Sequence, residues 1–122
     1  MNTPLYERIG GQAAVMAAVD LFYEKVMEDE LTRPFFAGLD MAKQTTKQVA
    51  FMTWAFGGPS EYKGRDLRSA HTGLVQRGLG DEHFDAVAGH LQATLRELGL
   101  ADELIKEALG IVGAQRDAVL NR

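Results

Sequence analysis

From Gln12 to Glu28 the apolar residues Val15, Val19, Phe22, Tyr23 and Val26 recur three or four positions apart, with Asp20, Glu24 and Lys25 between them. That spacing lays a single apolar stripe along a helix and predicts an amphipathic helix over the segment. Ahead of it, Thr3 and Pro4 read as an N-cap followed by proline at the first helical position, opening a short helix that ends at Gly10 and Gly11. The segment DELTRPFFAGLD then breaks the pattern at Pro34 and Gly38 and sets the aromatic pair Phe35 and Phe36 on a turn. Asp40 is placed to cap a further helix running through MAKQTTKQVAFMTWAF to a stop at Gly57, Gly58 and Pro59. Its inward stripe, Met41, Gln44, Thr45, Gln48, Met52 and Ala55, is part polar, where a plain core helix would carry leucine.

Beyond the glycine-rich GGPSEYKGRD, Asp66 reads as the cap of a short helix whose stripe is Leu67, Ala70, His71, Leu74 and Val75, which aims His71 inward. After a second glycine break, Phe84, Val87, Ala88, Leu91, Leu95 and Leu98 define a long amphipathic helix ending at Gly99. Asp102 reads as the cap of the last helix, with Ile105, Ala108, Leu109, Val112, Arg116 and Val119 as one continuous stripe in spite of Gly110 and Gly113. No stretch alternates with the period of a β-strand, and no repeat or low-complexity tract occurs, so the pattern predicts an all-α protein. A chain of 122 residues is expected to form a single domain over 1–122.

Composition narrows the function classes. With 46% apolar and 25% charged residues the chain has the make-up of a globular protein. A formal net charge of -4 gives no basic footprint for nucleic acid or for an anionic membrane surface. The absence of cysteine removes disulfides, thiolate metal sites and thiol nucleophiles together. No basic and apolar leader stands at the N-terminus and no run of 18 apolar residues occurs, so a cytoplasmic location is the expectation.

His83 and His90 are seven residues apart on one helix, roughly 10 Å, too far to share a metal ion. They read as ordinary, partly exposed side chains. With neither a His-Glu-x-x-His motif nor a carboxylate cluster, a protein-built zinc or di-iron site is not supported. What remains is a set of inward groups, Tyr23, Gln44, Gln48 and His71, among Phe22, Phe35, Phe36, Phe51, Met52 and Phe84. Each taken singly fits a hydrogen-bonded core residue. Together they fit a flat apolar cofactor that brings its own metal, held by one neutral imidazole and faced by hydrogen-bond donors. Haem answers to that description, since its iron carries four in-plane nitrogens and needs only one histidine.

The segments LYERIGG, AVDLFYEKV, FFAGLDMAKQ, KQVAFMTWAFGGP, YKG, HTGLV and HFDAVAGHLQATL, in this order, resemble the truncated haemoglobins of group I over nearly the whole chain. The resemblance implies a 2-over-2 helical sandwich, a shortened relative of the globin fold, that binds haem b and the gases dioxygen (O2), nitric oxide (NO) and carbon monoxide (CO). Carried over by position, His71 is the proximal iron ligand and Tyr23 the distal tyrosine. Gln44, Lys47 and Gln48 are the distal-helix positions that tune the ligand pocket, and Phe36 packs on the haem. Leu67, Phe84, Val87, Leu91, Leu95 and Val112 form the apolar pocket, with Lys43 counted among the cofactor-binding residues. Phe51 and Met52 lie where relatives line an apolar tunnel.

Two departures from the pattern change the expectation. Where some relatives carry a distal histidine this chain has Lys47, whose stem would lie along the haem edge or whose deprotonated amine would ligate the iron. Where some carry a C-terminal histidine that bonds covalently to haem, GAQRDAVLNR has none, so the haem is expected to be non-covalent. Three functions remain open: nitric oxide detoxification to nitrate with an external reductase, reversible oxygen storage or delivery, and a cofactor-free helical interaction protein.

Overall fold

In a computed structural model, residues 3–60 and 71–122 are described. They fold into α1 (Leu5–Arg8), α2 (Gly11–Glu28), a 3-10 turn at Arg33–Phe35, α3 (Met41–Ala55), a helical segment 71–76 called α4, α5 (Asp81–Glu97), α6 (Asp102–Gly113) and α7 (Arg116–Val119). No strand occurs among the described residues. Asp66 and Leu67 lie outside them.

The stripe of α2 is the centre of the core. Val15, Val19 and Val26 are wholly buried, and Phe22 and Tyr23 nearly so. α2 packs against α3 on one side and α5 on the other, while α5 also packs on α6. The two pairs α2/α3 and α5/α6 are thereby stacked with α2 and α5 at the junction. α1 closes one end by touching both α2 and α6, and the Tyr6 amide donates to the Phe56 carbonyl at 2.8 Å. Gly58 passes flat beneath the Tyr6 ring, where an added Cβ would lie 2.5 Å from Cγ. Only a glycine fits that approach.

Helix ends follow local chemistry, not always at the residue the pattern suggests. Asp40 does cap α3, its carboxylate accepting from the amides of Ala42 and Lys43. α1, by contrast, has Pro4 itself at the N-cap with no side-chain cap, not Thr3. α6 starts from Ala101, so Asp102 stands inside the first turn, where its charge meets the positive end of the helix without capping it. The continuous final helix is also corrected. α6 ends at Gly113, and the chain turns at Ala114 and Gln115 before α7, which is where the cost of Gly110 and Gly113 in a helix interior is felt.

Candidate functional site

Between the two helix pairs lies a cavity of about 620 Å³, within the range that holds small molecules and cofactors. A cofactor-free interaction protein would need this volume filled with side chains. α2 contributes Phe22 and Tyr23, and the corner after it Thr32, Phe35, Phe36 and Leu39. α3 contributes Gln44, Lys47, Gln48, Phe51 and Met52. His71 and Leu74 come from α4, Leu79 from the turn after it, and His83, Phe84, Val87, Ala88 and Leu91 from α5. Val112, Gln115 and Val119 close the C-terminal side.

Of the residues singled out from the sequence, Tyr23, Phe36, Gln44, Lys47, Gln48, Phe51, Met52, His71, Phe84, Val87, Leu91 and Val112 therefore come together around one space. Two do not. Lys43 is exposed on the outer side of α3, and Leu95 is buried in the core one helical turn beyond Leu91, so neither lines the cavity. Leu67 falls outside the described residues.

The polar groups are few and specific. Tyr23 is 6% exposed, and its hydroxyl accepts a hydrogen from the Gln44 side-chain amide at 3.2 Å. Burial pushes the Tyr23 phenol up to about 12, with the Gln44 hydrogen bond pulling the other way. The phenol is therefore neutral across the physiological range. With the Gln44 hydrogen directed onto its oxygen, its own hydrogen is left to donate into the cavity. The Tyr23 ring is wedged between Phe22, at 5.2 Å, and the edge of Phe36, at 5.6 Å, which fixes where that hydroxyl stands.

His83 is a cavity residue that the sequence pattern does not reveal. Its Nδ1 accepts the Gly80 amide hydrogen at 2.9 Å, and its ring meets Phe35 edge-on at 4.7 Å, with the Arg77 guanidinium over the same Phe35 ring. The readable signal was the spacing of three between Gly80 and His83 at a helix start, where a side chain reaches back to a free amide. His90 instead faces the α2 corner and pairs through Nε2 with the Asp29 carboxylate at 2.7 Å. Gln115 reaches the cavity because the break after Gly113 rotates the chain away from the stripe that placed Arg116 inward.

The donor set decides what kind of metal site this can be. Among the described residues no group of three or more His, Cys, Asp or Glu side chains could hold an ion by itself. Two imidazoles, His71 and His83, line a largely apolar wall together with the Tyr23 phenol and the Gln44, Gln48 and Gln115 amides, and Nδ1 of His83 is already taken by the Gly80 amide. Such a space suits a flat apolar metal chelate that asks one ligand of the protein.

Comparison with known proteins gives the class. Residues 4–121 match the bacterial-like globin family. A group 1 truncated haemoglobin of Synechocystis is 52% identical, the alignment covering 97% of this chain and 98% of that one. One from Tetrahymena pyriformis is 44% identical over the full length of both. The crystal structure of the 2/2 haemoglobin of a Synechococcus species, solved in the cyanomet state with covalently attached haem, superposes with a TM-score of 0.93 at 50% identity, covering 98% of this chain and 100% of that one. The chain belongs to the group 1 truncated haemoglobins and has their 2/2 all-helical fold. No helix among the described residues is long and apolar enough to cross a membrane.

Proposed function

We propose that the chain binds haem b non-covalently in this cavity, holds dioxygen there and converts nitric oxide to nitrate, with an external reductase as electron donor. When bound, haem b supplies a ferrous iron with a position for a diatomic ligand and the one-electron change that this oxidation needs. The observation that carries the reading is the Tyr23 and Gln44 pair, a neutral phenol held by an amide and turned into a cavity that also takes in His71.

His71 holds the iron through a ring nitrogen, which requires the neutral imidazole. With haem bound, Tyr23 would offer its O–H to a diatomic ligand in the cavity, which would favour dioxygen over carbon monoxide. Gln44 orients the phenol, and the Gln48 amide offers a second donor. Phe36, Phe51, Met52, Phe84, Val87, Leu91 and Val112 exclude water and pack against the cofactor. Lys47 lays its stem along the cavity rim. All three histidines lie at 71, 83 and 90, which leaves the C-terminal segment without a residue to bond covalently to haem.

The test is reconstitution with hemin, reduction with dithionite and exposure to carbon monoxide, for wild type and His71→Ala. A stoichiometric complex whose carbonyl spectrum changes in His71→Ala is expected. The reduced protein, equilibrated with oxygen, is then mixed rapidly with nitric oxide and nitrate is measured. One nitrate per site supports the dioxygenase. Oxygenated protein that survives nitric oxide would make it a reversible oxygen binder instead.

A further inference from the structure

The last residues of the chain reach back to the helical turn that carries His71. Thr72, the residue after it, donates its hydroxyl hydrogen to Oδ1 of Asn121 at 2.8 Å. Asn121 is set for this by its backbone, at a φ of 59° in the left-handed region, where asparagine is better tolerated than most other residues. Its Nδ2 donates to the Ala118 carbonyl at 3.4 Å.

The residues on either side of Asn121 are anchored. Leu120 is buried, 5% exposed. The Arg122 guanidinium donates to both carboxylate oxygens of Asp81, at 2.7 and 3.1 Å, and to Asp117 at 3.3 Å. The Arg122 amide donates to the Asp117 carbonyl at 2.8 Å. Arg116 adds bonds to Asp81 and Asp85, at 3.0 and 2.5 Å, with its guanidinium over the Phe84 ring. The chain end is thus clamped to the start of α5, and Asn121 ties α4 to that clamp. The described part of α4 is helical over 71–76 and the chain reverses at Gly78, which has a φ of 104°. The Thr72 to Asn121 bond therefore holds this part of the helix from outside it.

We propose that Asn121 is a positioning residue for His71: by accepting the Thr72 hydroxyl hydrogen it fixes the rotation of the turn on which the imidazole stands, and so the strength of the bond from imidazole to iron. This rests on the reading of His71 as the iron ligand. One neutral hydrogen bond of ordinary net worth corresponds to about two- to tenfold in an equilibrium or rate.

The experiment uses haem-loaded wild type, Thr72→Val, Asn121→Ala and Asn121→Asp. It reads the iron–imidazole stretching frequency of the ferrous protein by resonance Raman, the rate of haem transfer to an acceptor apoglobin, and the melting temperature. Thr72→Val and Asn121→Ala are expected to shift or broaden the stretch and to speed haem loss about two- to tenfold. Asn121→Asp keeps the acceptor oxygen for Thr72 but loses the Nδ2 donor to Ala118, so its stretch and haem loss should stay at wild-type values even where its melting temperature falls. Thr72→Val leaves the left-handed backbone at 121 untouched, so agreement between the two disruptive variants assigns the effect to the hydrogen bond. If both melt lower while the stretch and haem loss stay at wild-type values, Asn121 is a fold contact only and the inference is overturned. Wild type that takes up no haem would overturn the reading of His71 itself.

Discussion

At the scale of single residues, Tyr23 carries two consequences of its burial. The phenol is pushed up to about 12 in the folded protein from an ordinary value of 10.0. The folded state therefore keeps a proton that the unfolded chain releases, so this contribution is complete below pH 10 and is lost as pH rises toward 12. In the apoprotein, stability should fall by about 2 to 3 kcal/mol across that window, and Tyr23→Phe should flatten the fall while removing the last phenol to titrate by ultraviolet absorbance. In the haem-loaded protein, Tyr23→Phe should raise the oxygen dissociation rate by roughly ten- to a hundredfold, read by stopped flow, with a smaller change for carbon monoxide. Lys47 offers a separate test. It lines the cavity while much of the residue stays in water. Identical five-coordinate ferrous spectra in wild type and Lys47→Ala would place its stem along the rim. A low-spin six-coordinate spectrum lost in the variant would make its amine an iron ligand.

At the scale of elements, most of the helices were readable because a stripe such as Val15, Val19, Phe22 and Val26 reports burial directly, and the structure buries all four. Helix ends were less readable. Asp40 could be recognised as a cap because its carboxylate precedes free amides, and Asp40→Ala should cost about 1 kcal/mol in a melting experiment. Thr3 and Asp102 look equally suitable in sequence, but backbone angles at Pro4 and Ala101 decide those starts. The cavity was partly legible for a related reason. Tyr23, Gln44, Gln48 and His71 stood out as polar groups on inward stripes, whereas His83 enters through a reach back to Gly80 that no period encodes. Lys43 and Leu95 stand apart from the cavity lining, since resemblance carries over a position without saying which way its side chain faces here. Gly58→Ala should destabilise strongly, because its methyl group would strike Tyr6 Cγ and both Cδ atoms at 2.5 to 2.7 Å.

At the scale of the whole molecule, distant segments are tied by ion pairs. Lys25 meets Glu97 at 2.7 Å between α2 and α5, and Arg8 meets Glu107 between α1 and α6. Asp29 and His90 join the corner that delivers Phe35 and Phe36 to α5. The Leu31 amide, and then His90, hold the Asp29 carboxyl below its ordinary 3.8. A lowered acid gives stability that is present above the ordinary carboxylate range and lost as pH falls through the lowered value. Asp29→Ala should therefore be less stable than wild type at neutral pH, with the difference closing in acid, as followed by circular dichroism. The cavity adds a second dependence. A cofactor that binds only the folded chain at a hundred times its dissociation constant adds about 2.7 kcal/mol, and His71→Ala should shrink the gap between haem-loaded and haem-free melting temperatures. The flat crossing of Gly58 beneath Tyr6 reaches beyond this one chain. Positions 6 and 58 are free to change only as a pair, so in related sequences any side chain at the second should arrive with the loss of the aromatic ring at the first, and a compensated double substitution should fold where the single one does not.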